Sequence, residues 1–275
     1  MIIGISSLLF SIALAVVGSL TFWKVTEGYH FYIPIVLFIL GYLLAIILWW
    51  VFIDIYGRIL STNKNERTKV NKFTRFLLTD AMRYIDNHAL VRVHVNGKHL
   101  LPKGERFLFV QNHTSRFDPM VVNAYFNKYD IAFITKPSNF KIPLAKRLMP
   151  TLFYQAIERD NPLQSLGVMK HSEELITKGI TSIGVYPEGT RHKDGEMGDF
   201  HEGVFNICLR AKCPLVISTT NNMMNIHKNF PFKITHVHLD VVRVIPYEQM
   251  EGKTAKALSD EVKTIMLDNL KKYNQ

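Results

Sequence analysis

The hydrophobic pattern divides the chain near residue 53. No side chain from Met1 to Trp23 is charged, and none from Phe31 to Ile53. Each run suffices for about 20 helical residues, the thickness of a bilayer's hydrocarbon core. The polar stretch between them is short, with Lys24 and Glu27 as its charges, so the pattern predicts a helical hairpin in a membrane over residues 1–55. Hydropathy fits a spanning and a re-entrant hairpin alike; membrane attachment is common to both. A cleaved signal peptide would carry a basic n-region and would not be followed at once by a second apolar run.

Beyond the hairpin the periodicity changes twice. Val70, Phe73, Phe76, Leu77, Met82 and Tyr84 recur at mostly helical intervals, which predicts an amphipathic linker helix within 56–89. The same spacing serves a helix lying on a membrane surface and one facing a core. From Val91 onward, short apolar runs alternate with longer helical stretches. Val91–Val95, Phe107–Val110, Ile131–Ile134, Leu152–Ala156, Ile183–Tyr186, Leu215–Ser218 and Ile234–Ile245 read as strands. Pro119–Asn127, Pro143–Met149, Leu163–Lys178, Glu202–Ala211 and Ala255–Lys272 read as helices. Such alternation predicts an α/β domain over 90–275, a mainly parallel sheet flanked by helices.

Charge narrows the partners. The net charge of +10 favours an anionic surface, either nucleic acid or phospholipid. The apolar runs choose lipid; the basic residues are scattered and no nucleic-acid recognition motif is present. Trp49, Trp50 and Tyr56 suit an aromatic belt at the membrane interface. Arg58, Lys64, Arg67, Lys69, Lys72 and Arg75 follow, against the single acid Glu66. By the positive-inside rule that flank, and the domain after it, lie on the cytoplasmic face of the cell membrane. Cys208 and Cys213, the only cysteines, fit neither a zinc pattern nor a disulfide framework and read as buried free thiols. His236, His238 and Asp240 alternate along one strand, too far apart to converge on a metal. HExxH, P-loop, GxGxxG and GxSxG patterns are all missing from the sequence.

Two strand ends carry the candidate chemistry. After Phe107–Val110 comes Gln111-Asn112-His113-Thr114-Ser115-Arg116-Phe117-Asp118-Pro119, with an imidazole five residues ahead of a carboxylate. A strand-to-helix turn there would expose both at the sheet's C-terminal edge, where open α/β sheets bind ligands. Imidazole suits general-base work because its unperturbed pKa of about 6.5 lies near working pH. A carboxylate on its other nitrogen would set the tautomer. Ser115 lacks a nucleophile elbow and reads as a turn residue. The second end, Pro187-Glu188-Gly189-Thr190-Arg191, follows Ile183–Tyr186, and Arg191 offers a planar fork for phosphate oxygens. Lys136, closing the Ile131 strand, would add positive charge to the same edge.

In this order and spacing the two blocks resemble the NHxxxxD and EGTR blocks of the glycerolipid acyltransferase family, the lysophosphatidic acid acyltransferases in particular. The resemblance covers residues 90–220 or so. It implies transfer of a fatty acyl chain from acyl-CoA or acyl carrier protein to the sn-2 hydroxyl of lysophosphatidic acid, giving phosphatidic acid. No cofactor or metal beyond the donor is implied. His113 would be the base and Asp118 its orienting partner. Arg191 and Arg159 would hold the acceptor phosphate, while Glu188, Gly189 and Thr190 shape that pocket. Arg159 matches a third block, from which this chain departs by placing Glu158 directly before it. Pro214 resembles the proline of a fourth block and would shape the acyl or acceptor cleft. Phe200–Phe205 also resembles the family's sequence after the EGTR block. Two alternatives stand beside this reading: another acceptor, such as glycerol 3-phosphate or a different lysophospholipid, or a non-enzymatic membrane protein that binds anionic lipid.

Overall fold

A computed structural model describes residues 1–26, 30–62, 68–143, 145–158, 160–191 and 196–273. The chain divides into two compact units, residues 1–65 and 66–275.

The first unit is a helical hairpin of α1 (Ile2–Thr26) and α2 (Tyr32–Thr62). Small residues line its seam. Ser7, Ser11 and Ala15 recur every fourth position on α1 and are buried, as is Ala45 on α2. A side chain at Gly41 would press on the Ser11 backbone. Close approach of small faces is how helices associate in lipid, where hydrophobic burial offers no driving force. Ser11 returns its hydroxyl to the Ser7 carbonyl at 2.8 Å, and the Trp49 indole N–H donates to Ser6 Oγ at 2.9 Å. Leu9, Val17, Ile39 and Ile47 point outward and are exposed. Both helices are long and apolar enough to cross a membrane. Apolar side chains covering so much of their outer surface associate this unit with a membrane.

The second unit is built on a seven-stranded mixed sheet in the order β1-β7-β6-β2-β5-β3-β4. The strands are β1 (Val91–Asn96), β2 (Leu108–Gln111), β3 (Ile131–Thr135), β4 (Gln155–Ala156), β5 (Ser182–Val185), β6 (Leu215–Asn221) and β7 (Thr235–Ile245). Five run parallel, from β6 through β2, β5 and β3 to β4; β7 is antiparallel to β6, and β1 follows β7. The helices are α3 (Lys72–His88), α4 (Asp118–Tyr125), α5 (Ala145–Thr151), α6 (Pro162–Thr177), α7 (Asn206–Ala211), α8 (Ile226–Asn229) and α9 (Ala255–Lys271). Every residue of β2 and β5 is buried, as expected of central parallel strands covered on both faces.

Two predicted elements come out differently. The run Leu152–Ala156 is not one strand: Phe153 takes a left-handed φ of 64°, ending α5 and leaving only Gln155–Ala156 to pair with β3. The predicted helix Glu202–Ala211 opens with a 3-10 turn, Glu202–Phe205, before α7. Helix α3 is capped by Asn71, whose side chain accepts from the Thr74 N–H at 3.0 Å, and it buries Leu77, Leu78 and Ala81. Cys208 and Cys213 are free and buried.

Near the end of α3, Asp86 is buried and neither carboxylate oxygen has a hydrogen-bond partner among the described residues. Burial pushes its carboxyl up to about 7. The unfolded chain ionises Asp near 3.9, so the native state holds a proton that the unfolded state has lost between the two values. Stability is therefore full below about pH 4 and falls as pH rises towards 7, by roughly 4 kcal/mol at 1.4 kcal/mol per pH unit. Asp86→Asn removes that loss. Denaturant titrations at pH 5 and pH 8 are expected to separate in the parent protein and to draw together in the variant.

Candidate active site

The site forms where β2 leaves the sheet. β2 pairs with β6 as far as Gln111 and Ser218, and Asn112 then continues the pairing with its side chain. Its carboxamide donates to the Thr220 carbonyl at 3.0 Å and accepts from the Thr220 N–H at 2.8 Å, standing in for a strand backbone. The main chain is thereby released to turn into α4. Asp118 opens that helix with Pro119 in its first turn, where a missing N–H costs nothing.

His113 Nδ1–H donates to Asp118 Oδ2 at 2.8 Å. The same oxygen accepts from the Thr114 and Ser115 backbone N–H groups at 2.8 Å each, while Oδ1 accepts from the Thr220 hydroxyl at 3.2 Å. Gln111 Nε2 donates to that hydroxyl at 3.1 Å. Asp118 is wholly buried and the His113 side chain remains partly exposed. Since Oδ2 also accepts from two backbone N–H groups, the contact suits a proton on Nδ1, and in the neutral imidazole Nε2 then keeps its lone pair. Ser115 is a turn residue, its hydroxyl accepting from the Phe117 N–H at 3.3 Å.

Stacking holds the imidazole from below. The Tyr186 ring lies 4.2 Å from it, tilted 21°, and Phe133 stacks under Tyr186 at 5.3 Å and 10°. Gly184 makes room for this column, since any Cβ there would strike the Phe133 ring. The Tyr186 hydroxyl is buried and unpartnered among the described residues. Burial first, then the charge of Asp118 and Tyr154, push it well above the ordinary phenol range.

Glu188 joins the two loops. Its Oε1 accepts from the His113 N–H at 2.7 Å and Oε2 from the Gly198 N–H at 3.0 Å. This buried carboxylate thus ties the turn at His113 to Gly198. Gly189, at φ 67°, closes a turn by donating to the Tyr186 carbonyl at 2.9 Å. Thr190 is exposed and Arg191 half-buried at the same edge.

Lys136 directly follows β3, one strand beyond β5, and lines a cavity of about 480 Å³ with Pro137, Ile157, Glu158, Asp160 and Asn161. Strand spacing of about 4.8 Å puts the β3 end roughly 10 Å from that of β2. Glu158 and Asp160 offset the charge of Lys136 there. Arg159 lies outside the described residues. Pro214 does not join the site. It precedes β6 at the sheet's opposite edge, where its carbonyl accepts from the Leu108 N–H at 3.0 Å. Six residues at about 3.3 Å each separate it from Thr220, some 20 Å. The described residues hold no group of three or more His, Cys, Asp or Glu side chains placed to bind a metal ion.

Tyr186, Asn112 and Thr220 are the contributors that motif reading passed over. Asn112 stands inside the first block and Tyr186 directly before the second. Thr220 carries no local signal, because 102 residues separate it from the carboxylate it touches.

A buried carboxylate thus fixes an imidazole at the edge of a mostly parallel α/β sheet, with an arginine on the neighbouring loop. The acyltransferase family model matches residues 92–218. The chain is 29% identical over 189 residues to chloroplastic 1-acyl-sn-glycerol-3-phosphate acyltransferase BAT2 of Brassica napus, covering 68% of this chain and 53% of that protein. It is 24% identical over 235 residues to 1-acyl-sn-glycerol-3-phosphate acyltransferase alpha of Mus musculus, covering 80% and 76%. The chain thus spans about half the length of the first curated relatives it matches. The crystal structure of the 1-acyl-sn-glycerophosphate (LPA) acyltransferase PlsC from Thermotoga maritima superposes with a TM-score of 0.61 at 20% identity, over 82% of this chain and 94% of that one. The fold is PlsC-like, and residues 92–218 match the acyltransferase family model.

Proposed function

We propose that this protein is a membrane-attached 1-acylglycerol-3-phosphate O-acyltransferase. It moves a fatty acyl group from acyl-CoA or acyl carrier protein to the sn-2 hydroxyl of lysophosphatidic acid. The observation that carries this reading is the 2.8 Å contact between His113 Nδ1 and the buried Asp118 carboxylate. It leaves Nε2 as a proton acceptor at the partly exposed edge.

In this mechanism Nε2 removes the acceptor's hydroxyl proton as the oxygen attacks the thioester carbonyl. The C–O bond forms and the C–S bond breaks. The thiol leaves as thiolate or takes the proton back from the imidazolium; with a thiol pKa of about 8.5 it needs little help. Asp118 stabilises the imidazolium while that charge exists. Arg191 supplies the fork for the acceptor's phosphate, with Arg159 and Lys136 as further cations and Glu188, Gly189 and Thr190 setting the loop that presents it. A protein that merely bound anionic lipid would have no use for a buried carboxylate aligned on an imidazole. The donor thioester is a substrate, and the mechanism calls on no metal or resident cofactor.

The basic flank after α2 supports a location at the cell membrane with the acyltransferase domain, 90–275, on the cytoplasmic face. The hairpin over 1–55 would be its anchor, with the segment 56–89 joining them. The decisive experiment incubates purified full-length protein with lysophosphatidic acid and each thioester donor, and identifies the lipid by mass. Phosphatidic acid is expected. Product from glycerol 3-phosphate and none from lysophosphatidic acid would replace the acceptor assignment.

A further inference from the structure

Large apolar side chains stand exposed unevenly over the second unit. Among the described residues beyond 65 there are ten, and six lie at the sheet edge that carries His113: Ile142, Leu163, Leu166, Phe230, Phe232 and Ile234. Ile142 follows β3, the two leucines begin α6 after β4, and the last three lie between β6 and β7. Phe232 is 96% exposed.

Its loop is ordered by hydrogen bonds, so the exposure is built rather than incidental. The Asn229 carbonyl accepts from the Phe232 and Lys233 N–H groups at 3.0 and 2.8 Å, and Asn229 Nδ2 donates to Thr235 Oγ1 at 3.0 Å. Ile226 is buried at the loop's base. The loop also adjoins the catalytic turn: the His227 ring meets Phe117, next to Asp118, edge-on at 5.7 Å. From Ile226 to Ile234 the chain has two lysines, Lys228 and Lys233, both exposed, and no acid.

We propose that this edge is a membrane-docking surface and that Phe230–Ile234 is its wedge, seated in the headgroup layer of an anionic bilayer beside the catalytic turn. Phenyl rings reach the acyl boundary while flanking ammonium groups meet lipid phosphates, the arrangement by which interfacial segments bind. A single-chain phospholipid acceptor then passes from bilayer to His113 without crossing water. The surface deepens the acyltransferase reading, on which only the second measurement below rests.

The first measurement needs no catalysis. Phe232→Cys in the full-length protein, reconstituted into vesicles of phosphatidylcholine with a minor share of phosphatidylglycerol, carries an environment-sensitive thiol dye. Lys178→Cys, at the opposite sheet edge, is the reference. Labelling is confined to the introduced thiol, because Cys208 and Cys213 are buried and burial pushes the Cys213 thiol up to about 12. Nitroxide-bearing lipids are expected to quench the dye at 232 several-fold more than at 178. Equal quenching overturns the proposal.

The second measurement compares acceptors. Phe230→Ser with Phe232→Ser is expected to lower kcat/KM for vesicle-borne lysophosphatidic acid about tenfold, as two apolar anchors leave the interface. Turnover of a short-chain, water-soluble lysophosphatidic acid should be unchanged. An equal loss with both acceptors would mean the phenylalanines serve the fold or the site, and would overturn the wedge. If the unsubstituted protein turned over neither acceptor, the acyltransferase reading would fail while the quenching result stood by itself.

Discussion

His113→Ala is expected to lower acyl transfer by roughly a thousandfold, the middle of the range for losing a positioned general base. Rate constants under saturating donor, with product followed by mass, measure it. Stability should hold, because the His113 side chain is partly exposed and its backbone N–H, which holds Glu188, survives the substitution. A variant that folds, binds membrane and transfers acyl groups at the parental rate would remove His113 as the base. The surrounding geometry makes that outcome hard to reconcile with the site. Tyr186 stacked beneath the ring and Asp118 at its Nδ1 restrain an imidazole that plain packing would not need to align.

Asp118 separates chemistry from architecture. In Asp118→Asn the amide oxygen can take the place of Oδ2, accepting from Thr114, Ser115 and the imidazole, while the amide nitrogen faces Thr220. The three hydrogen bonds to that oxygen survive, the Thr220 contact reverses so that the amide donates to the hydroxyl, and the negative charge is lost. Transfer is expected to fall by about a hundred- to ten-thousandfold as the imidazolium loses its counter-charge, with little change in unfolding midpoint. Asp118→Ala leaves those N–H groups without their acceptor in a buried position, and should cost roughly 3 kcal/mol or more of stability as well. Parallel kinetics and denaturant titrations distinguish the two. Equal destabilisation by both variants, with activity kept in Asn, would mean that the carboxylate serves the turn alone.

Sequence periodicity revealed most of the framework because hydrophobic burial is written along the chain. Residues 107–110 and 215–218 read as strands because every position is apolar or small, and the structure buries both in the middle of the sheet. The hairpin was equally plain from two long uncharged runs. Reversal of β7 and β1 was not, because an alternating strand looks the same in either direction. The 152–156 run misled for a backbone reason: Phe153 in the left-handed region breaks the extension that its apolar neighbours suggest.

The sequence by itself determined which residues could do proton chemistry. An imidazole and a carboxylate five apart at a strand end, followed later by an arginine after another strand, are chemical identities that no fold alters. Only the tertiary structure decided how they are held. It brought Thr220 to Asp118, laid Tyr186 and Phe133 under the imidazole, used Glu188 to join two loops, and removed Pro214 to the far edge. The physical reason is that local sequence specifies side-chain chemistry and short-range turns. Contacts between strands distant in the chain depend instead on sheet order and register, which arise from packing the whole core at once.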